Sequence, residues 1–456
     1  MDSLAYASDL RDAIDIFRPH HLLYSALGFV LVQALHVENT LLFMCHVNAL
    51  FAVGCLIIAR LILLSFTDKR TCTFIILFLG SCYGFARFAT DNETYIIPIF
   101  FSLWASWAAL KEKNVFYVSM LAAIACLFHQ IHFFWWLGLL FFCFSRPGAN
   151  KTKVFSLYFL GALIVPVTYL FVFCLTDNGC STIIEYIFYD YFNKQNVDLA
   201  VKTLALYMTP ISFIRTFLQV HGYIYALIVK YPVFVIGLIS SCFCFVMAML
   251  NIRKSFRKNE TNKLATNYAN THLLIFTLQL AFAFISDGNA EFMAMLPFAL
   301  SIFIFTKYKV KTKLISYLAI GLFVWNMGYG LIPYRFLVIN SDIPMANYIA
   351  KNPNEFYYLR DKVTALNLLR YYYPDTTYNI AATDPPNPKD EKMVEEWVES
   401  GKTVLTNIVK TTTPMSRGKI LSSTDSDYFK SKYTLSEIDR IEYDLGVLYI
   451  TQLSSK

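Results

Sequence analysis

Arg87-Phe88-Ala89-Thr90-Asp91-Asn92-Glu93-Thr94-Tyr95 joins two apolar runs, Cys72–Ala89 and Thr94–Leu110. Each run is about as long as a membrane-crossing helix, which needs roughly 17–25 apolar residues. Acids at such a junction sit where hydrocarbon meets water, a costly position unless they stay solvated or perform chemistry. Arg87 precedes Asp91 and Glu93 in the same stretch, and a guanidinium suits bidentate contact with phosphate. A purely local reading competes with this one. Thr90 or Asp91 caps the next helix, and Glu93 complements its first turn. At this level both readings stand.

The rest of the chain repeats this arrangement. It has 456 residues, 56% hydrophobic and 16% charged, against about 25% charged in soluble domains. The mean hydropathy is +0.47. Outward from the opening stretch, further apolar runs cover Asn39–Phe66, Val115–Phe128, His132–Phe144, Val154–Leu175, Val233–Leu250, Leu273–Ile285, Phe292–Phe305 and Leu314–Pro333. A shorter run, His21–His36, follows Pro19 and reads as an interfacial or re-entrant helix. The chain is therefore expected to be an α-helical polytopic membrane protein of about 10–12 spans. Most cysteines lie inside these runs as packing residues; only Cys174 and Cys180 can face an oxidising compartment, so no disulfide framework is implied. Neither a removable signal peptide nor an internal repeat is visible.

Charge assigns the sides. Lys69 and Arg70; Lys111 and Lys113; Arg146, Lys151 and Lys153; Arg253 to Lys263; and Lys307 to Lys313 make five basic connections. They alternate with acidic or mixed ones: the N-terminal segment, 87–93, 129–132, 177–230 and 287–291. Basic connections mark the cytoplasmic side, and here none breaks the alternation. The N-terminus and the C-terminal segment are then both external. An external start at Asp2 suits an ordinary external N-terminus, and equally a chain whose first membrane helix lies upstream of Met1. The net charge of +7 is spread over short loops, which implies a lipid bilayer and no nucleic acid as partner.

From Arg335 onward the apolar runs shorten. Phe356–Leu359, Val404–Ile408 and Tyr443–Leu453 read as strands, Lys362–Tyr371 and Lys392–Ser400 as amphipathic helices, and Asp384-Pro385-Pro386-Asn387-Pro388 as a loop. This gives a membrane domain over 1–335, with external loops at 1–38 and 176–231, and a small extracytoplasmic α/β domain over 336–456.

Several polar clusters fall on the external side. Asp2, Asp9, Asp12 and Asp15 precede Arg18-Pro19-His20-His21. A carboxylate beside a low-dielectric surface gains basicity and can act as a general base; the alternative for Asp9, Asp12 and Asp15 is a solvated helix face. His129 and His132 stand three apart, with no third metal ligand spaced nearby, and the aromatics after them fit an interfacial belt. Glu291, after the turn Asp287-Gly288-Asn289-Ala290, complements a helix dipole or lines a site. Segment 177–230 carries Glu185, Tyr186, Tyr189, Asp190, Tyr191, Lys194, Arg215 and His221, and either covers a cleft or is a structural loop. Of the three Asn-x-Thr matches (Asn92, Asn150, Asn259), two fall in connections assigned to the cytoplasm. There is no phosphate-binding Gly-rich loop and no His-Glu-x-x-His, which excludes a nucleotide-fuelled enzyme. No ionisable residue is expected mid-span in the pattern of an ion-coupled transporter.

Asp2 with Tyr6, then Pro19-His20-His21-Leu22-Leu23-Tyr24 opening a short helix, then Glu93-Thr94-Tyr95 two spans later, resemble the multi-spanning GT-C glycosyltransferases, including relatives of the protein O-mannosyltransferases. The resemblance covers roughly residues 1–140, and the alternating topology extends it to about 335. His20-His21 departs from the family's His-Pro-Pro, and the family's first helix is absent. The resemblance implies inverting transfer of a sugar from a polyprenyl-phosphate-linked donor to a glycan, lipid or protein acceptor, in a bacterial inner membrane. It makes Asp2 the candidate base, with Asp91 and Glu93 orienting the acceptor or holding a divalent metal. Arg87 and Arg18 are expected at the donor phosphate, and His20, His21, Tyr6, Tyr95 and His129 along the substrate. An O-antigen-type polymerase or ligase is the nearest alternative. Such proteins depend on arginines in a large external loop, whereas here acids cluster in the first external loops. A non-catalytic lipid or polysaccharide transporter is the other.

Overall fold

The computed structural model describes residues 2–192, 203–253, 255–384, 388–409 and 423–456, with side chains at all of these except 190–191, 383–384 and 423–427. Met1, Lys194, Lys254 and Pro385 to Asn387, and the side chains of Asp190, Tyr191 and Asp384, lie outside the described residues.

In chain order the helices are α1 (Asp2–Asp12), α2 (Leu22–Leu35), α3 (Thr40–Leu63), α4 (Lys69–Ser81), α5 (Tyr83–Ala89), α6 (Ile96–Leu110), α7 (Val115–Phe128), α8 (Phe133–Phe144), α9 (Lys151–Ala162) and α10 (Ile164–Leu175). Segment 176–231 holds α11 (Ile183–Ile187), α12 (Tyr189–Phe192), α13 (Thr203–Phe217) and α14 (Ile224–Lys230). Next come α15 (Phe234–Ile252), strand β1 (Phe256–Lys258), α16 (Lys263–Ile285), α17 (Leu296–Lys307), β2 (Tyr308–Val310), α18 (Thr312–Asn326) and α19 (Ile332–Phe336). The C-terminal part runs α20 (Asp342–Lys351), β3 (Phe356–Asp361), α21 (Lys362–Tyr372), β4 (Asn379–Asp384), α22 (Pro388–Glu399), β5 (Val404–Thr406), α23 (Ser423–Lys432), β6 (Thr434–Tyr443) and β7 (Gly446–Ser454).

Every apolar run expected from the sequence is helical. Five helical stretches are long and apolar enough to cross a membrane: α3, α9 through α10, α15, α16, and α18 through α19. The pair α4 and α5 makes a sixth, bent by 69°. Ile96–Leu110, Val115–Phe128 and Gln130–Phe144 are apolar but shorter. Helix α16 starts at Lys263, ten residues before the expected Leu273. It therefore carries His272, fully buried, in its interior. The expectation of no ionisable residue within a span is corrected there. The early start follows from Asn262, whose side chain accepts from Ala265 N and sets the helix end.

The bend between α4 and α5 breaks the backbone ladder at Cys82, whose ψ of 126° is not helical. A freed carbonyl in an apolar interior needs a donor. Asn326 supplies it, donating through Nδ2 to Ser81 O at 2.7 Å and to Phe217 O at 2.7 Å. The same residue's Oδ1 accepts from Gln219 N at 2.8 Å.

By contacts the chain divides into two units. One comprises 9–219 and 237–330, the other 1–8, 220–236 and 331–456. In the first, the five basic connections meet at one end. Arg146 donates to Ala109 O and Lys113 O, Asn267 donates to Ser145 O, β1 pairs antiparallel with β2, and the hydroxyls of Thr71 and Thr312 lie 2.6 Å apart. Four helices that start at this end carry ordinary caps, Asp68 on α4, Asn114 on α7, Asn150 on α9 and Asn262 on α16, while α18 starts there without one. Helices α6, α8 and α17 start at the opposite end, and none has a side-chain cap.

The second unit contains a five-stranded sheet in the order β4-β3-β5-β7-β6. Strands β4, β3 and β5 are parallel, while β7 runs antiparallel to both β5 and β6. Parallel neighbours require crossovers, and α21 and α22 supply them. Tyr358, Ala381, Val394, Val404, Phe429 and Leu453 form the core. The expected strands and helices are present. Strands β4 and β6 and helices α20 and α23 lie outside those expectations; the charged edge strand Thr434–Tyr443, for one, shows no apolar alternation.

A small residue lets two helices of the first unit approach closely. A Cβ at Gly161 of α9 would lie 2.5 Å from Phe116 O of α7. Gly161→Ala is expected to destabilise the protein by about 1–3 kcal/mol, the usual cost of overpacking. The melting temperature of the solubilised protein checks this; an unchanged value would show that the two helices part freely.

Candidate functional site

At the end opposite the basic connections, four turns of the first unit converge: 17–21, 87–95, 129–132 and 287–293. Their rings form one cluster. The Tyr95 ring stacks on His129 at 5.1 Å between centroids, and Phe88 packs on Tyr95 at 4.7 Å. His129 lies 6.3 Å from His20, 6.5 Å from His21 and 6.3 Å from Phe292. His20 and His21 meet edge to face at 4.1 Å. The Tyr95 hydroxyl donates to Glu291 Oε2 at 2.9 Å, so Glu291 faces this cluster while also opening a short helical turn.

The turn bearing the acids is tied down from beneath. Asn48, fully buried in α3, donates through Nδ2 to Asp91 O at 2.7 Å, Glu93 O at 2.8 Å and the Tyr24 hydroxyl at 3.1 Å. Tyr24 donates onward to Asn92 Oδ1 at 2.7 Å. Asn92, Glu93 and Thr94 are buried. The capping reading of this stretch fails. Tyr95, not Thr90 or Asp91, is the N-cap of α6, and it makes no side-chain cap. Thr90 Oγ1 donates back to Ala86 O and Arg87 O, and Asp91 Oδ1 accepts from Asn92 N.

The N-terminal turn is held from three sides. Pro19 O accepts from Gln130 Nε2 at 3.2 Å and from the Tyr169 hydroxyl at 2.5 Å. The Tyr186 hydroxyl donates to Phe17 O at 2.7 Å. Tyr186, in segment 176–231, thus acts structurally. Arg18 is engaged by Asp9 at 2.5 Å, with a longer contact to Asp15 at 3.9 Å. Asp9 is fully buried, which corrects the solvated-face reading for that residue; Asp12 and Asp15 are exposed. An arginine already paired to a buried carboxylate has less charge to offer a phosphate. Arg87 is half-buried, with its guanidinium 5.6 Å from the Phe88 ring centre.

Asp2 and Tyr6 lie in the part of α1 that belongs to the other unit, Asp2 exposed and Tyr6 buried. The structure therefore brings together His20, His21, Tyr95 and His129, with Arg87 beside them through Phe88, and fixes Glu93 in the adjoining turn. Among the described residues, no group of three His, Cys, Asp or Glu is arranged to hold a metal ion.

No protein-family model and no curated protein sequence matches the chain. Its structure aligns with the crystal structure of ArnT from Cupriavidus metallidurans bound to undecaprenyl phosphate. The TM-score is 0.55 with 8% identity, over 98% of this chain and 92% of that one. The chain has the ArnT fold. The apo form of ArnT aligns with a TM-score of 0.47 and 10% identity, over 98% and 93% of the two chains. The expected architecture, a helical membrane part with a small C-terminal α/β region, is the one found.

Asn48, Tyr24, Gln130 and Glu291 do most of the positioning. A signal for Asn48 was present: a carboxamide in the middle of the run Asn39–Phe66 has to find partners. Asn48→Leu removes the donor to two backbone carbonyls, and unsatisfied buried groups cost about 1–3 kcal/mol each. Lower thermal stability is expected, together with faster hydrogen exchange across 91–95. Unchanged exchange there would remove Asn48 as the anchor.

His21 and His129 are held well below the ordinary imidazole value of 6.5, first by burial and then by neighbouring histidines, so both are neutral at pH 7. Between their lowered native values and 6.5 the unfolded chain binds more protons than the folded one. Stability conferred by these neutral rings is complete above pH 6.5 and is lost as pH falls through that window. Melting temperature should drop on acidification, and the double variant His21→Gln with His129→Gln should flatten the dependence. An equal slope in both proteins would dissociate these rings from it.

Proposed function

We propose that this protein is a membrane glycosyltransferase that moves a sugar, with inversion, from a polyprenyl-phosphate-linked donor to an acceptor on the extracytoplasmic face. The observation that carries the reading is the ArnT fold over 98% of the chain, joined to the order Asp2, Pro19-His20-His21, Glu93-Thr94-Tyr95. ArnT was crystallised with undecaprenyl phosphate, which supports a lipid-phosphate donor here. Residues 336–456 form the extracytoplasmic α/β domain in this reading.

The chemistry assigns roles as follows. The acceptor hydroxyl attacks the anomeric carbon from the face opposite the phosphate. Its oxygen forms the new glycosidic bond, the bond from that carbon to the phosphate oxygen breaks, and polyprenyl phosphate leaves with the electron pair. Asp2, as carboxylate, takes the hydroxyl proton. The leaving anion needs positive charge or hydrogen-bond donors and no proton. Arg87 or Arg18 supplies these, Arg87 standing beside the Tyr95–His129 cluster through Phe88 and Arg18 being held by Asp9. Neutral His129 and His21 contribute aromatic surface and N–H donors rather than charge. Glu93 and Asp91 orient the acceptor, with Tyr95 aligned by Glu291.

The reading is tested with purified protein in lipid nanodiscs supplied with a panel of polyprenyl-phosphate sugars, following polyprenyl phosphate release and sugar transfer. Asp2→Asn should keep the fold and lower transfer by about 10²–10⁴-fold, the usual contribution of a general base. Full activity in that variant would remove Asp2 from the mechanism. Absence of release with every donor would favour the transporter reading instead.

A further inference from the structure

The basic end of the first unit carries a structure that the charge pattern alone does not announce. Two connections separated by a whole helical hairpin pair as a two-stranded ribbon, with Phe256 opposite Val310, Arg257 opposite Lys309 and Lys258 opposite Tyr308. Arg257, Lys258, Lys309, Lys311 and Lys313 are exposed, and Lys307 is half-buried. Like charges placed directly opposite on a ribbon repel and are destabilising. The ribbon is nonetheless closed by further backbone bonds, Asn259 N to Lys307 O at 2.8 Å and Lys311 N to Ser255 O at 3.0 Å. Asn259 Nδ2 adds a bond to Thr306 O at 3.3 Å. Among the described residues none of these six cations has a carboxylate in ion-pair contact. Of the acids at this end, Asp68 is spent locally, accepting from Arg70 N, Thr71 N and Thr71 Oγ1, and Glu260, two residues from Lys258, is exposed and makes no ion pair with the six.

We propose that this ribbon is a binding platform for the phosphate headgroups of anionic phospholipids in the adjoining leaflet. Three observations favour a lipid over a soluble polyanion. The strands directly continue the membrane-class helix α15 and the apolar helix α17, so the charges stand at the end of the apolar bundle. Phe256 and Tyr308, 46% and 38% exposed, form an edge-to-face pair at 6.3 Å on the ribbon itself, the residue type that settles at a bilayer interface. Helices α16 and α18 begin just beyond the two strands, adding their positive dipole ends to the same surface. Lys69 and Arg70 join this end through the Thr71–Thr312 contact.

The experiment is a native mass-spectrometry titration of the full-length protein with phosphatidylglycerol and, separately, phosphatidylcholine, alongside melting in nanodiscs of each lipid. The variant Arg257→Gln, Lys258→Gln, Lys309→Gln, Lys311→Gln is compared with a control that loses equal charge elsewhere, Lys351→Gln, Lys392→Gln, Lys402→Gln, Lys430→Gln. A surface cation is worth about fivefold in affinity for an anionic membrane. Wild type and control should prefer phosphatidylglycerol, and the ribbon variant, lacking four such cations, should lose that preference by about 600-fold. Added salt should weaken it in wild type without any mutation. The proposal is overturned if wild type retains both lipids equally, if the ribbon variant keeps the preference, or if inorganic phosphate or a short oligonucleotide displaces the lipid.

Discussion

One buried carboxamide governs the geometry of the candidate site. Asn48 stands in the apolar interior of α3 and donates to two carbonyls of the turn between α5 and α6, and to the Tyr24 hydroxyl of α2. In a medium without water, a backbone turn can persist only where its polar groups find partners. Asn48 satisfies that demand for the acidic turn, Gln130 with Tyr169 does so for the N-terminal turn, and Asn326 does so for the break at Cys82. Each device is a single amide or hydroxyl reaching backbone from a neighbouring helix. Together they place irregular chain at one end of a bundle that is otherwise regular.

The two ends of the first unit are built by different rules. At the basic end, α4, α7, α9 and α16 start with ordinary Asp and Asn caps, α18 starts without one, and the cations project outward. At the other end α6, α8 and α17 start without side-chain caps. There the polar side chains are turned toward one another: Tyr95 to Glu291, Tyr24 to Asn92, His129 to Tyr95, and His20 and His21 to His129. Burial keeps His21 and His129 uncharged, so these rings give the cluster aromatic surface without charge.

The two arginines of these turns have different surroundings. Arg18 and Arg87 stand in similar company along the chain, each near acids and aromatics. Only the folded chain shows Asp9 buried against Arg18 while the Arg87 side chain lies over Phe88, within the aromatic cluster. Asp9 likewise belonged to a set of four N-terminal carboxylates with no local mark to distinguish it.

Run lengths and the alternation of basic with acidic connections were enough to set the helical architecture, because membrane insertion responds to apolar length and loop charge, both properties of contiguous sequence. The short motifs around Asp2, His20 and Glu93 were enough to point to a GT-C-like arrangement. The convergence of four turns on Tyr95 and His129, the anchoring by Asn48, the 69° bend and the pairing of Arg257 with Lys309 were decided only in three dimensions. These depend on which residues from distant segments meet, and a side chain in a dry interior takes its partner from whatever helix lies beside it, at a distance along the chain that local pattern does not encode.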